Sequence, residues 1–142
     1  FTLAHTISLA LGMLGLVNIP SAIVEPLIAA SIVYVCIENI FMRDLSRWRP
    51  MVVFGFGLLH GLGFAGVLAE VGFVQSQFVS GLIGFNIGVE FGQLAIITLC
   101  FALFGAWFGR KVWYRAVITI PLSLGIAAIG AYWFVERTLF AA

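Results

Sequence analysis

The stretch from Val79 to Leu103 reads VSGLIGFNIGVEFGQLAIITLCFAL, and it decides the fold class. Glu90 is its one charged residue. A helix needs about 20 mostly apolar residues to cross the roughly 30 Å hydrocarbon layer of a bilayer. The stretch is long enough for such a helix, and it lacks the two-residue alternation of a transmembrane β-strand. It therefore predicts a membrane-spanning α-helix.

The rest of the chain has a similar composition. Of its 142 residues, 63% are hydrophobic and 9% are charged, and the mean hydropathy is +1.16. Soluble domains average about 25% charged residues. Together with a net charge of +1 and no basic stripe, this excludes a soluble enzyme, a disordered tail and a nucleic-acid-binding protein. The two cysteines form neither a disulfide framework nor a CxxC motif.

Polar interruptions divide the sequence into five apolar runs. We therefore predict an all-α fold, a polytopic membrane helix bundle of about five transmembrane helices with glycine-mediated packing, in a single domain of residues 1–142. The predicted helices cover about residues 1–17, 21–42, 50–69, 79–103 and 117–135. The first run has no basic region before it and no cleavage site, so it is not predicted to be a signal peptide.

The basic residues predict the orientation. Six of the seven lie in two loops, at Arg43, Arg47 and Arg49 and at Arg110, Lys111 and Arg115. The positive-inside rule makes these loops cytoplasmic. The loops near Asn18 and at 71–78 are then expected outside, together with the C-terminus.

Ionisable side chains within the predicted helices are the candidate functional residues, because such a group costs about 2.5–3.5 kcal/mol at a helix centre. His60 and Glu90 lie near the middle of their helices, and His5 lies slightly to the inner side. Glu25 and Glu38 lie roughly 6 Å from the outer and inner ends of the second helix. Imidazole and carboxylate ligands suit divalent first-row metals such as nickel. The same groups could pass protons, hold helices together or reach interfacial water, and depth alone leaves these alternatives open.

The fourth predicted helix carries a polar face and a glycine ridge. The polar residues follow i, i+4, i+7 spacing: Asn86, Glu90 and Gln93. The glycines, Gly84, Gly88 and Gly92, point about 170° away. We expect this helix to be buried on both sides, with neighbours packed on the glycines. Similar small faces occur on the third helix, with Gly57 and Gly61, and on the first, with His5, Ser8, Gly12 and Gly15.

Five motifs resemble those of the HupE/UreJ family: FTLAHT at 1–6, VEPLIA at 24–29, EN at 38–39, FGLLHGLGFA at 56–65 and FNIGVEFGQ at 85–93. The resemblance implies a small bacterial inner-membrane protein that is associated with hydrogenase or urease maturation and acts as a nickel or cobalt permease. It marks as signature polar positions His5, Glu25, Glu38, Asn39, His60, Asn86, Glu90 and Gln93.

One family motif is missing. Members usually begin with an earlier helix that carries a His-x-x-x-Gly-x-Asp-His type motif with metal ligands. The present sequence starts at Phe1, where the next helix would begin. We therefore expect either a longer natural chain with an upstream helix or a member that lacks part of the site.

The leading hypothesis is a secondary permease for a divalent metal, nickel or cobalt, with His5, His60 and Glu90 as metal ligands. We place five further polar residues either along the ion pathway or in contact with the metal ligands: Glu25, Glu38, Asn39, Asn86 and Gln93. The expected partners are the lipid bilayer and the metal ion, without nucleic acid or a firmly bound cofactor. The alternative is a non-catalytic accessory subunit that associates with other membrane subunits or with itself. An enzyme is disfavoured, because neither histidine belongs to an HExxH motif.

Overall fold

The computed structural model describes residues 1–42, 46–71 and 78–140. Within these ranges the chain forms helices and no strand, which confirms the predicted all-α fold. The helices are α1 (Thr2–Met13), α2 (Ser21–Phe41), α3 (Arg49–Val71), α4 (Phe78–Cys100), α5 (Ala106–Phe108) and α6 (Ile120–Leu139). A π-helical segment, Phe101–Gly105, joins α4 to α5, and another, Arg115–Thr119, leads into α6. Arg43 and the predicted outer loop at 72–77 lie outside the described residues.

Four helical stretches are long and apolar enough to cross a membrane: Ser21–Phe41, Arg49–Leu68, Val79–Phe108 and Arg115–Leu139. Large apolar side chains cover the outside of the described structure. Its buried residues include several polar ones: His5, Ser8, Ser31, Glu38, Asn86 and Ser123. An apolar exterior around polar interior groups suits a hydrocarbon solvent, where polar side chains turn toward the bundle interior. The chain is a multi-pass membrane protein.

Helix α1 is shorter than predicted. It ends at Met13 rather than at about residue 17, because Gly15 adopts a left-handed conformation with φ of 70°. The Leu16 N–H donates to the Leu11 carbonyl and the Gly15 N–H to the Gly12 carbonyl, both at 3.0 Å, which is the Schellman pattern of a helix end. A helix of 12 residues rises about 18 Å. Over the described residues, α1 is an apolar helix shorter than the four candidate spans.

The helices pack in the spatial order α4, α1, α3, α2, α6. Helices α1 and α3 run parallel, because Gly57 lies against Phe1 and Gly61 against Ser8. Helix α2 runs antiparallel to α3 and to α6, and α4 runs antiparallel to α1. The short helix α1 is thus placed between two membrane-spanning helices, and its side chains face both.

Glycine lets α1 and α3 approach closely. A Cβ atom on Gly61 would lie 2.1 Å from Ser8 Oγ and 2.3 Å from the His5 carbonyl oxygen. A Cβ atom on Gly57 would lie 2.7 Å from the Phe1 carbonyl oxygen. No larger residue fits at either position without a shift of α1, so the predicted glycine-mediated packing is confirmed at this interface.

The expectation that α4 is buried on both sides is wrong for the described residues. A Cβ atom on Gly84, Gly88 or Gly92 would meet no atom within 4 Å. Helix α4 contacts α1 through its polar face, and no described helix covers the glycine side. The glycine spacing indicates a surface suited to close helix packing, but no described helix packs on that surface.

Candidate functional site

His5 is the one ionisable side chain of α1, and 1% of its surface is exposed. Its Nδ1 lies 3.1 Å from Asn86 Oδ1 on α4. The Asn86 amide nitrogen donates to the Leu82 carbonyl at 2.8 Å, so the atom that faces His5 is the amide oxygen, an acceptor. The hydrogen of His5 therefore sits on Nδ1. Its buried Nε2 carries a lone pair and has no hydrogen-bond partner among the described residues.

His60, on α3, has the same tautomer. Its Nδ1 lies 2.7 Å from the Phe56 carbonyl oxygen, one turn earlier in the helix. A carbonyl oxygen can only accept, so Nδ1 carries a hydrogen, and in the neutral ring the lone pair is on Nε2. No described residue hydrogen-bonds to this Nε2. Both histidines thus hydrogen-bond to the protein through Nδ1, and Nε2 has no hydrogen-bond partner among the residues that the structure describes.

Aromatic rings surround the two histidines. The Phe1 ring stacks on His5 with centroids 5.9 Å apart and meets His60 edge-on at 5.4 Å. Phe64 and Phe85 contact His5 from α3 and α4, at 5.7 and 6.0 Å. The histidines are therefore neighbours across one phenylalanine, in surroundings that offer few hydrogen-bond partners.

The interface between α1 and α4 is polar. Thr2 donates to Glu90 Oε2 at 2.5 Å. Thr6 Oγ1 lies 2.8 Å from both Asn86 Oδ1 and the Thr2 carbonyl oxygen, so its single hydrogen is shared. Because Thr2 and Thr6, like Asn86 and Glu90, are four residues apart, the contacts lie one helical turn apart. The predicted polar face of α4 thus meets α1 at Asn86 and Glu90, whereas Gln93 takes part in neither contact.

Both carboxylates of α2 are paired with arginine. Glu25 pairs with Arg137 of α6. At the other end Glu38, with a 5% exposed side chain, lies 3.8 Å from an Arg49 guanidinium nitrogen. The Arg49 guanidinium also donates to Asn39 Oδ1 at 3.3 Å. Sequence reasoning used these arginines only for orientation. The sequence did carry a signal for this pairing. Arg49 is expected at the same side of the membrane as Glu38, and Arg137 at the same side as Glu25.

Arg115 fixes the end of α2 that carries Glu38. Its guanidinium donates to the carbonyl oxygens of Asn39, Ile40 and Met42, at 3.4, 2.8 and 3.1 Å. The last carbonyls of a helix have no intrahelical donor, and a basic side chain can satisfy them. Sequence analysis missed this role as well, because the contact joins residues that are more than 70 positions apart.

A cavity of about 360 Å³ opens beside His60, between α2, α3 and α6. Its polar lining residues are Ser31, Cys36, Asn39, His60 and Ser123. The cavity brings His60 and Asn39 to one space, while His5 and Glu90 are not part of its lining. We call it the His60 cavity.

The structure does not gather all predicted ligands at one point. In the described ranges no three side chains of His, Cys, Asp or Glu lie close enough together to hold a metal ion. The Phe1 ring contacts both His5 and His60. Glu90 lies at the α1–α4 interface, one helical turn from the contact between His5 and Asn86. Common ligation by His5, His60 and Glu90 stays a prediction.

Comparison with known proteins gives one result. The model of a family described as HupE/UreJ protein matches residues 1–137 of the chain. No curated protein and no solved structure matches at a significant level. The match covers all five predicted helices, including the last, for which the sequence offered no family motif. The chain belongs to the HupE/UreJ family.

Proposed function

We propose that this chain is a secondary permease for a divalent transition metal, nickel or cobalt, that supplies hydrogenase or urease maturation. Membership of a family of transport and accessory proteins supports a transport role. The observation that carries the proposal is the shared state of the two histidines. Each donates Nδ1–H to an oxygen and leaves Nε2 without a described partner. Metal-binding histidines are usually held in this way, with the second ring nitrogen hydrogen-bonded to an oxygen.

The donor type favours borderline metals. Neutral imidazole suits nickel, cobalt, copper and zinc, whereas calcium and magnesium prefer oxygen ligands. Two imidazole nitrogens form an incomplete ligand set, which suits a cargo that must bind and then leave. In this mechanism His5 and His60 take the ion in turn or together, on either side of the Phe1 ring.

Glu90 supplies negative charge near the histidines. A divalent cation is costly within the bilayer unless a counter-charge accompanies it. Glu90 lies on α4 one turn from Asn86, which orients His5. We assign Asn86 to holding the His5 ring, and Glu25, Glu38, Asn39 and Gln93 to the pathway. Glu25 and Glu38 must exchange an arginine partner for the passing ion.

The orientation follows from charge. We propose a place in the bacterial inner membrane, with the loops that carry Arg47, Arg49 and Arg110 to Arg115 in the cytoplasm. Glu38 and Asn39 then lie at the cytoplasmic end of α2, and Glu25 lies at its outer end. The proposed transport is driven by the ion's own gradient or by a coupled ion.

The test is uptake of radioactive nickel by cells that express the protein at equal, immunoblotted levels. His60→Ala and Glu90→Gln should each lower uptake by tenfold or more, about the factor that loss of a metal-site partner costs in affinity. Glu136→Gln is the matched control, because Glu136 is an exposed carboxylate on α6 whose side chain hydrogen-bonds to Tyr132 and to no other described residue. Undiminished uptake in both site variants would contradict the proposed site.

One observation favours the alternative of a non-catalytic accessory subunit. The glycine ridge of α4 lies open in the described fold, as a surface for another membrane helix would. Purification in mild detergent followed by native mass measurement separates the two functions. Stoichiometric co-purification with other membrane subunits, without nickel uptake by the chain alone, would favour the subunit role.

A further inference from the structure

Two cavities lie along one side of α2. The first, of about 160 Å³, is lined by Glu25, Ile28, Ala29, Ile32, Trp133 and Arg137, and we call it the Glu25 cavity. The second is the His60 cavity, of about 360 Å³. Ile32 belongs to the lining of both. The two spaces therefore meet at Ile32.

Glycines of the neighbouring helices make room for two isoleucines of α2, Ile28 and Ile32. A Cβ atom on Gly130 of α6 would lie 3.3 Å from Ile32 Cγ2. A Cβ atom on Gly63 of α3 would lie 2.7 Å from Ile28 Cδ1. Both branched side chains thus fill space between α2 and a glycine of the next helix. Ile32 is the one residue common to both linings, so its truncation is the change expected to join the cavities.

A carboxylate–arginine pair lines the outer end of the Glu25 cavity, and another lies next to the far end of the His60 cavity. The Glu25 cavity includes the ion pair of Glu25 and Arg137, whose side chains are 34% and 42% exposed. The His60 cavity includes Asn39, which accepts a hydrogen bond from Arg49. Arg49 also pairs with the buried Glu38. From Glu25 to Asn39 the helix rises about 21 Å, at 1.5 Å per residue.

We propose that the two cavities form one cation route along α2, closed at its centre by the Ile32 side chain and at its Glu25 end by Arg137. The inference rests on the proposed transport function and adds the path by which a cation reaches His60. Glu25 with Arg137 lines one end of this route, and Glu38 with Arg49 lies beside Asn39 at the other. A divalent cation attracted to Glu25 displaces Arg137, enters the Glu25 cavity and passes Ile32 to reach His60.

The native thiol of Cys36 can report on this route. Cys36 lines the His60 cavity and is 5% exposed. In a Cys100→Ala background it is the one remaining cysteine of the chain. A membrane-impermeant cationic methanethiosulfonate is added to either face of oriented vesicles, and the labelled fraction is followed by mass spectrometry. The assay needs no metal ion.

Ile32→Ala should speed the labelling of Cys36 from the Glu25 face about tenfold, equivalent to about 1.4 kcal/mol of barrier. Arg137→Gln should speed it from the same face by a smaller factor. The matched control is Ile23→Ala, because Ile23 lies on the same helix, is 53% exposed and belongs to neither lining. Labelling from the Arg49 face should not change.

Two results would overturn the route. Equal labelling rates in the Ile32→Ala and Ile23→Ala proteins would show that Ile32 is not the partition. Acceleration from both faces would mean that the substitution loosens the whole bundle. If nickel uptake depends on His60 while Ile32→Ala changes nothing, the permease stands and the route is wrong. If the route opens as expected but no nickel is taken up, the route stands and the proposed cargo is wrong.

Discussion

Helix α1 is held on its two sides by different interactions. Against α3 it packs through small residues, with Gly57 and Gly61 placed where an added Cβ would collide with α1. Against α4 it is held by side-chain hydrogen bonds from Thr2 and Thr6 and by the His5–Asn86 contact. The three ridge glycines of α4, Gly84, Gly88 and Gly92, point away from α1 and have no described atom within 4 Å of an added Cβ. Similar glycine spacing therefore accompanies a tight interface in one helix and a bare surface in the other.

This comparison shows that a glycine ridge indicates only one half of an interface. In a bilayer, helices associate through close packing and polar contacts rather than through hydrophobic burial, because lipid is as apolar as the side chains. Helix α1 offers α3 a matching row of small residues, Ala4, Ser8 and Gly12. No described helix offers such a row to the glycines of α4.

Gly61→Ala should produce the largest loss of stability. Its Cβ would overlap the His5 carbonyl oxygen and Ser8 Oγ, and the backbone atom cannot rotate away. We expect a destabilisation of about 3 kcal/mol, at the upper end of the usual cost of overpacking. The free energy of unfolding is measured by titration from mild detergent into dodecyl sulfate. Gly55→Ala is the matched control, because nothing lies within 4 Å of its added Cβ. Equal stability of the two variants would contradict close packing of α1 on α3.

Asn86→Leu should have the next largest effect, because it removes the acceptor of the buried His5 Nδ1–H. A hydrogen bond between membrane helices contributes about 1–2 kcal/mol in model peptides, and we expect a destabilisation of that size. The loss should also free the His5 ring to change tautomer. Nitrogen-15 NMR of the histidine rings reports this directly, with Gln93→Leu as the control on the same helix. Retention of the Nδ1–H tautomer in Asn86→Leu would contradict the assigned role.

Much of the fold could be predicted from the sequence, because apolar run length is a strong signal. The end of α1 was misplaced although a signal existed: Gly15 takes the position after the cap where glycine is favoured. The position of α4 beside α1 could not be predicted, because hydropathy contains no information about which helices are neighbours.

The candidate site residues follow from the sequence, whereas their contacts do not. The membrane cost of ionisable groups is enough to predict His5, His60 and Glu90 as candidates. The tautomers, the arginine partners of Glu25 and Glu38 and the shared lining at Ile32 depend on contacts between distant residues. Such contacts follow from the packing order of helices, which one sequence does not reveal.

Thr2→Val should have a smaller effect than Asn86→Leu. The substitution keeps the shape of the side chain and removes the hydroxyl that donates to Glu90. Double-mutant cycles between membrane helices average about 0.6 kcal/mol, and we expect a destabilisation near that value. The same unfolding titration measures it, and Thr138→Val is the control, since the Thr138 hydroxyl bonds within its own helix. A cycle with Glu90→Leu, which removes the acceptor, isolates the pair, and zero coupling would mean that Thr2 and Glu90 do not interact.

Gly88→Ala should have the smallest effect. Its Cβ meets nothing within 4 Å, and alanine is a better helix former than glycine by about 1 kcal/mol. We therefore expect the monomeric protein in detergent to keep its stability or to gain up to that amount. A clear destabilisation would mean that another chain or another copy covers the ridge, because only a close neighbour gives the added methyl group something to displace. Measuring the variant at two protein-to-detergent ratios distinguishes these cases. A loss that grows with protein concentration requires an intermolecular interface, and a neutral result at both ratios leaves the ridge facing lipid.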